Sequence, residues 1–164
     1  MTSPGSFLHQ TPAGSRWSGP CTDAACKLTG LFTALVVDAN PVMLRLASAM
    51  LRRLGFAVRT AGESAEALFE FHRSPSKLVL TDYEMPAING YQLGRRIKAQ
   101  LPRTRVVIMT GSGRDAVAGI MSDEDIDGWL FKPFHAEDLE RLLRRIGLLV
   151  GGGEATEGGN LQKP

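Results

Sequence analysis

The sequence predicts an α/β fold: a doubly wound, five-stranded parallel sheet in the order 2-1-3-4-5, with five helices on its two faces. Two observations carry this. Short apolar runs alternate with segments whose apolar residues recur at helical spacing, the pattern of successive strand–helix units. The best of these runs are apolar throughout rather than at every second position, as strands buried on both faces must be. Right-handed crossovers then restrict the topology to doubly wound orders. The order 2-1-3-4-5 sets the first and third strands side by side at the switch point, where a crevice opens.

The folded part is expected over residues 31–149. With 164 residues in all, the chain is long enough for one domain with a real core, and its net charge of +2 is too small to imply a nucleic-acid partner. Residues 1–30 are rich in Ser, Thr, Gly and Pro and read as a flexible N-terminal extension; residues 150–164, rich in Gly and Glu, read as a disordered tail. Pro4, Gly5, Pro12, Gly14, Gly19 and Pro20 break any signal-peptide core. No apolar run reaches the ~20 residues of a membrane span. A cytoplasmic protein with no membrane contact is expected. Cys21 and Cys26 fit no common zinc or redox spacing and read as free thiols in a reducing compartment.

Taking the elements in order, Leu31–Val37 is a strand ending at Asp38. Asn40-Pro41 supplies an N-cap and first helical residue. Met43, Leu46, Ala47, Met50, Leu51 and Leu54 then form the inward stripe of a helix, with Arg45, Ser48 and Arg52 opposite and Gly55 as the stop. Phe56–Thr60 is the second strand. Residues 63–72 form a helix with Ala67, Leu68 and Phe71 inward. Residues 77–81 form the third strand, ending on Asp82. The helix at 90–100 faces inward through Leu93 and Ile97 and closes at Pro102. Arg105–Met109 is the fourth strand and leads into Thr110-Gly111-Ser112-Gly113. A weaker helix spans 113–121, where Gly119 costs ~1 kcal/mol relative to alanine. Trp129–Phe131 is the fifth strand, ending at Lys132-Pro133. The last helix, 136–147, carries Leu139, Leu142, Leu143 and Ile146 inward, and its arginines Arg141, Arg144 and Arg145 suit the C-terminal end of the helix dipole.

Asp38, Asp82, Thr110 and Lys132 thus fall at the carboxyl ends of four strands, the edge where open α/β sheets bind ligands. Two acids in one crevice repel each other unless a cation neutralises them, and magnesium, a hard ion that takes oxygen ligands, suits that role. An acid beside such an ion can act as a nucleophile toward a phosphoryl group. Lys132 and the metal can balance the charge on its oxygens, and Thr110 can donate to it.

These residues, in Val36-Val37-Asp38, Thr81-Asp82-Tyr83-Glu84-Met85-Pro86 with Asn89-Gly90, Ile108-Met109-Thr110-Gly111 and Lys132-Pro133-Phe134, resemble the receiver domain of two-component response regulators over about residues 32–148. The resemblance implies the flavodoxin-like receiver fold. It implies that Asp82 accepts a phosphoryl group from a phosphohistidine on a histidine kinase or phosphotransfer protein, with magnesium required. Asp38, Asp82 and the backbone carbonyl of Glu84 would hold the metal. Lys132 would contact the phosphoryl oxygens and the Asp82 carboxylate, and Thr110 would move to bond the phosphoryl group. The side chains of Glu84 and Ser112 would tune hydrolysis, and the Lys132–Pro133 peptide would be cis. The signalling face would be the helix near 113–121 with the last strand and last helix.

Two departures qualify it. The family usually has two consecutive acids after the first strand; here they are Asp38 and Ala39, so one metal ligand is missing and weaker magnesium binding is expected, with the Glu84 side chain or a water in partial compensation. Trp129 stands where the family commonly has Tyr or Phe as a phosphorylation-coupled switch, and a fixed edge aromatic is an equal alternative.

The resulting expectation is a single-domain response regulator. It would not be an enzyme beyond its own phosphorylation and dephosphorylation. It would signal to a downstream protein by contact or onward phosphotransfer, as a monomer or a phosphorylation-dependent dimer. A phosphorylation-independent pseudo-receiver is the alternative that Ala39 favours. An aspartyl phosphatase would want Asp rather than Glu84 two residues after the nucleophile, and no cap domain is visible.

Overall fold

The computed structural model describes residues 32–121 and 124–149. The expectations for residues 1–30 (including Cys21 and Cys26), Leu31 and 150–164 lie outside the described residues. Five strands, β1 (Thr33–Val37), β2 (Ala57–Ala61), β3 (Leu78–Asp82), β4 (Arg105–Thr110) and β5 (Gly128–Phe131), alternate with α1 (Pro41–Arg53), α2 (Ser64–Arg73), α3 (Gly90–Gln100), α4 (Arg114–Val117) and α5 (Ala136–Arg145). The strands pair in parallel in the order β2-β1-β3-β4-β5, as the sequence predicts.

The two-residue period of the strands divides the core into two layers. Ala34 and Val36 of β1, Leu78 and Leu80 of β3, and Val107 and Met109 of β4 pack with Ala47 and Leu51 of α1 and Leu139, Leu142 and Leu143 of α5. Leu35, Val37, Val79, Val106 and Ile108 face the other way, against Ala67 and Phe71 of α2 and Leu93 and Ile97 of α3. Asp38, Asp82 and Lys132 share the parity of the first layer. Thr110 and Trp129 share that of the second, and Trp129 packs there. The alternation therefore sorts the polar residues at the sheet's edge into two groups before any loop geometry is considered.

The caps follow the local sequence. The Asn40 side chain accepts from the Val42 N–H with Pro41 at the first helical position, and Asn89 and Gln92 form a reciprocal capping box on α3. Gly55 and Gly147, after α1 and α5, have φ of 87° and 77°, the left-handed conformation glycine adopts without penalty.

Three expectations are corrected. Leu46 is 44% exposed and Ser48 only 2%, so the inward stripe of α1 is rotated toward Ser48. The helix expected at 113–121 is α-helical only over Arg114–Val117 and continues as a 3-10 turn over Ala118–Ile120, which contains Gly119. α5 ends at Arg145, and Ile146 and Gly147 form its cap. Among the described residues no helix is long and apolar enough to cross a membrane.

Candidate phosphoacceptor site

The Lys132 ammonium lies between two carboxylates, 2.8 Å from Asp82 Oδ1 and 3.0 Å from Asp38 Oδ2. Both acids are nearly buried, at 1% (Asp38) and 6% (Asp82) exposure. Asp38 follows β1, Asp82 ends β3, and Lys132 follows β5; β1 and β3 are hydrogen-bonded neighbours. The Asp38 side chain is fixed further by the Asn40 N–H, which donates to Oδ1 at 2.8 Å. The Lys132–Pro133 peptide is cis.

One lysine shared by two acids sets the electrostatics. Burial, together with the charges of Asp38 and Glu84, outweighs Lys132 and raises the Asp82 carboxyl above its ordinary value. Burial works against the Lys132 ammonium, but the two acids overcome it and raise its pKa. The lysine receives both attractions while each acid has half of one lysine, so Asp82 sits where an added cation would be welcome.

The donor set suits magnesium. Among the described residues, no donor reaches Asp82 Oδ2, and the Glu84 backbone carbonyl accepts no hydrogen bond. Two carboxylates, one carbonyl and waters match a hard ion that keeps several waters. No group of three or more His, Cys, Asp or Glu side chains is placed to hold a metal among the described residues. Ala39 leaves the position after Asp38 without an oxygen.

Glu84 is not drawn to the acid pair by its side chain. Its carboxylate turns to the end of β4: Ser112 Oγ donates to Oε1 at 2.6 Å, Thr110 Oγ1 donates to Oε1 at 3.3 Å, and the Gly111 N–H donates to Oε2 at 3.3 Å. Burial works against its charge, but these three bonds and the nearby Lys132 outweigh it and lower its pKa. The side chain expected to compensate for Ala39 is thus engaged elsewhere.

Thr110 is fully buried and its hydroxyl also accepts from the Ser112 N–H at 3.0 Å. Trp129 packs against Tyr83, with ring centroids 6.2 Å apart, and its indole N–H is buried without an acceptor among the described residues. Gly90 holds α3 against β3: a Cβ there would lie 2.1 Å from the Asp82 carbonyl oxygen. Residue-by-residue reading had no signal for that contact beyond the Asn89-Gly90 pair itself.

The sequence profile of the response regulator receiver domain matches residues 34–144. The chain belongs to the response regulator receiver domain family. It is 30% identical over 122 residues to the probable transcriptional regulatory protein TcrX of Mycobacterium tuberculosis, covering 71% of this chain and 51% of that one, so the chain spans about half the length of that relative. Among solved structures it is similar to a response regulator receiver domain protein of Clostridium thermocellum, with 31% identity, a TM-score of 0.65, and 71% and 94% of the two chains covered. It is also similar to the receiver domain of a Pseudomonas aeruginosa sensor histidine kinase solved with a magnesium ion in its active-site cleft, with 29% identity, a TM-score of 0.63, and coverage of 71% and 98%. The receiver fold, including its strand order, is therefore established for this chain.

Proposed function

We propose that this receiver domain takes a phosphoryl group onto Asp82 from a phosphohistidine of a histidine kinase or phosphotransfer protein in the cytoplasm. The observation that carries this is the Asp38–Lys132–Asp82 bridge, with Asp82 Oδ2 left open beside it. In the transfer Asp82 Oδ2 forms a bond to phosphorus as the bond from phosphorus to the donor's imidazole nitrogen breaks; the electron pair of that bond leaves with the imidazole, which takes up a proton. Lys132 holds Asp82 oriented and balances charge on the phosphoryl oxygens. Thr110 donates its hydroxyl proton to one of those oxygens once it has turned toward Asp82. Asp38, Asp82 and the Glu84 carbonyl would hold magnesium, which supplies Lewis-acid neutralisation of the phosphoryl charge. The signal then passes through the surface of α4, β5 and α5, by contact with a downstream protein, by dimerisation or by onward phosphotransfer.

Incubation with acetyl phosphate and magnesium, followed by intact-mass measurement, tests this. One added phosphoryl group on the native chain and none on Asp82→Asn is expected. A pseudo-receiver that binds partners without phosphorylation is the second reading, favoured by Ala39; no added mass at saturating magnesium, with unchanged partner binding, would establish it. Ala39→Asp restores an anionic ligand and is expected to tighten magnesium binding by about tenfold or more by titration. Equal binding of the two chains would show that the missing acid is without consequence.

A further inference from the structure

We propose that Glu84 is a positioning residue that latches the Thr110 hydroxyl in the resting state, so that phosphorylation must break this latch before Thr110 can serve the phosphoryl group. The inference rests on the reading of Asp82 as phosphoacceptor and adds the resting-state partner of its switch residue. A threonine hydroxyl has one proton to give. Here that proton goes to Glu84 Oε1, and the lone-pair side is occupied by the Ser112 N–H. Thr110 cannot donate to a phosphoryl oxygen and to Glu84 at once.

The latch is more than one bond. The same carboxylate gathers the Ser112 hydroxyl and the Gly111 N–H, so three consecutive residues at the end of β4 are tied to the loop after Asp82. The anchor is well supported: Tyr83 next to it pairs through its N–H with the Met109 carbonyl at 2.7 Å and packs on Trp129. The side of the sheet matters as well. Thr110 belongs by strand parity to the layer that contains Tyr83 and Trp129, not to the layer of Asp38, Asp82 and Lys132. A hydroxyl that starts on the Glu84 side must rotate to reach the acceptor. Release of Thr110 leaves Glu84 with Ser112 and Gly111, so the loop stays tethered while the switch residue departs.

The test compares the native chain with Glu84→Gln and Glu84→Ala by titration with beryllofluoride, a phosphoryl mimic, at fixed saturating magnesium, following the Gly111 and Ser112 amide resonances. Glu84→Ala removes the latch and is expected to lower the beryllofluoride midpoint by about fivefold, the worth of one modest hydrogen bond. Glu84→Gln keeps an acceptor oxygen and is expected to fall between Ala and native. Equal midpoints for Gln and Ala would assign the effect to lost charge alone and overturn the latch, as would an unchanged or raised midpoint in Ala. Amide hydrogen exchange of Ser112, whose N–H donates to the Thr110 hydroxyl, supplies a second readout without metal or beryllofluoride: faster exchange in Glu84→Ala supports the latch, and unchanged exchange overturns it. Should the native chain fail to respond to beryllofluoride at all, the phosphoacceptor reading fails, while the exchange comparison still decides the latch. Glu84 is solvent-exposed, so both variants are expected to fold, and thermal melts check this.

Discussion

The proposed acceptor side and the proposed readout side of this domain are built on different principles. The acceptor side is made of buried strands. Asp38 follows β1 and Asp82 ends β3; these strands pair in register from Ala34 with Leu78 to Val37 with Thr81 and are covered by α1, α2, α3 and α5. The readout side, from Gly113 to Phe131, has a four-residue helix, a 3-10 turn and a short edge strand. Within it β5 is held by its ladder to β4, by Asp127 and by Trp129 on Tyr83, whereas the stretch from Gly113 to Ile120 is tied by individual contacts such as Arg114 stacked 4.7 Å over Phe131. A site that must hold two acids and a lysine to a fraction of an ångström gains from rigidity. A segment that must report a change of state gains from having few ties to break.

The sharpest way to expose this contrast is a methyl group at Gly90. The added carbon would sit 2.1 Å from the Asp82 carbonyl oxygen and 2.9 Å from its carbonyl carbon, so either α3 or the acceptor strand must move. Gly90→Ala is expected to cost about 3 kcal/mol or more in urea unfolding. It should also weaken phosphorylation of whatever remains folded. A loss under 1 kcal/mol would mean that the start of α3 yields easily and that the acceptor side is not rigid.

Much of this arrangement is legible in the sequence. The apolar runs, the N-caps at Asn40 and Asn89, and the polar residues at the strand ends are local signals, and the strand order follows from alternation and handedness. What was not legible depends on contacts between distant residues. Asp127 pins Arg105 at 2.6 Å, Lys98 at 2.8 Å and the Val106 N–H at 2.8 Å, tying α3 to β4 and to the lead-in of β5, yet nothing around Asp127 announces it. Glu84 likewise finds its three donors 26 to 28 residues away. On α1 the difference from the expected stripe is angular. An apolar stripe of Val42, Met43, Leu46 and Met50 competes with Ala47 and Leu51 for the inward position. Ala47 and Leu51 are the fully buried pair, Met43 and Met50 pack at the edge of the same cluster, and Ser48, beside Ala47, is carried inward.

That rotation leaves the acceptor side with one imperfection, which gives a smaller effect of opposite sign. The Ser48 hydroxyl is buried with no partner among the described residues. An orphaned buried hydroxyl costs about 1 to 3 kcal/mol, and alanine is also the better helix former by about 0.5 kcal/mol. Ser48→Ala is expected to stabilise the domain by about 1 kcal/mol in urea unfolding, with the acceptor geometry unchanged. Destabilisation instead would reveal a partner for the hydroxyl, such as an ordered water.

The smallest effect belongs on the readout side, at Gly119. Nothing lies within 4 Å of a Cβ built there, and its φ is outside the left-handed range that only glycine favours. Packing therefore offers no penalty, and the substitution acts mainly on the unfolded chain by removing glycine's extra conformations. Gly119→Ala is expected to stabilise by about 0.5 kcal/mol. The functional consequence separates the two principles more finely than the stability does. Alanine favours continuing the α-helix of Arg114–Val117 through the present 3-10 turn, so the readout segment would become more regular and harder to rearrange. If ease of rearrangement is what this side of the molecule provides, Gly119→Ala should leave magnesium affinity and phosphoryl uptake at Asp82 unchanged while shrinking the amide shift changes that beryllofluoride produces across residues 114–120. Equal shift changes in both chains would mean that the segment's irregularity is incidental, and that the signal leaves the site through β5 and α5 alone.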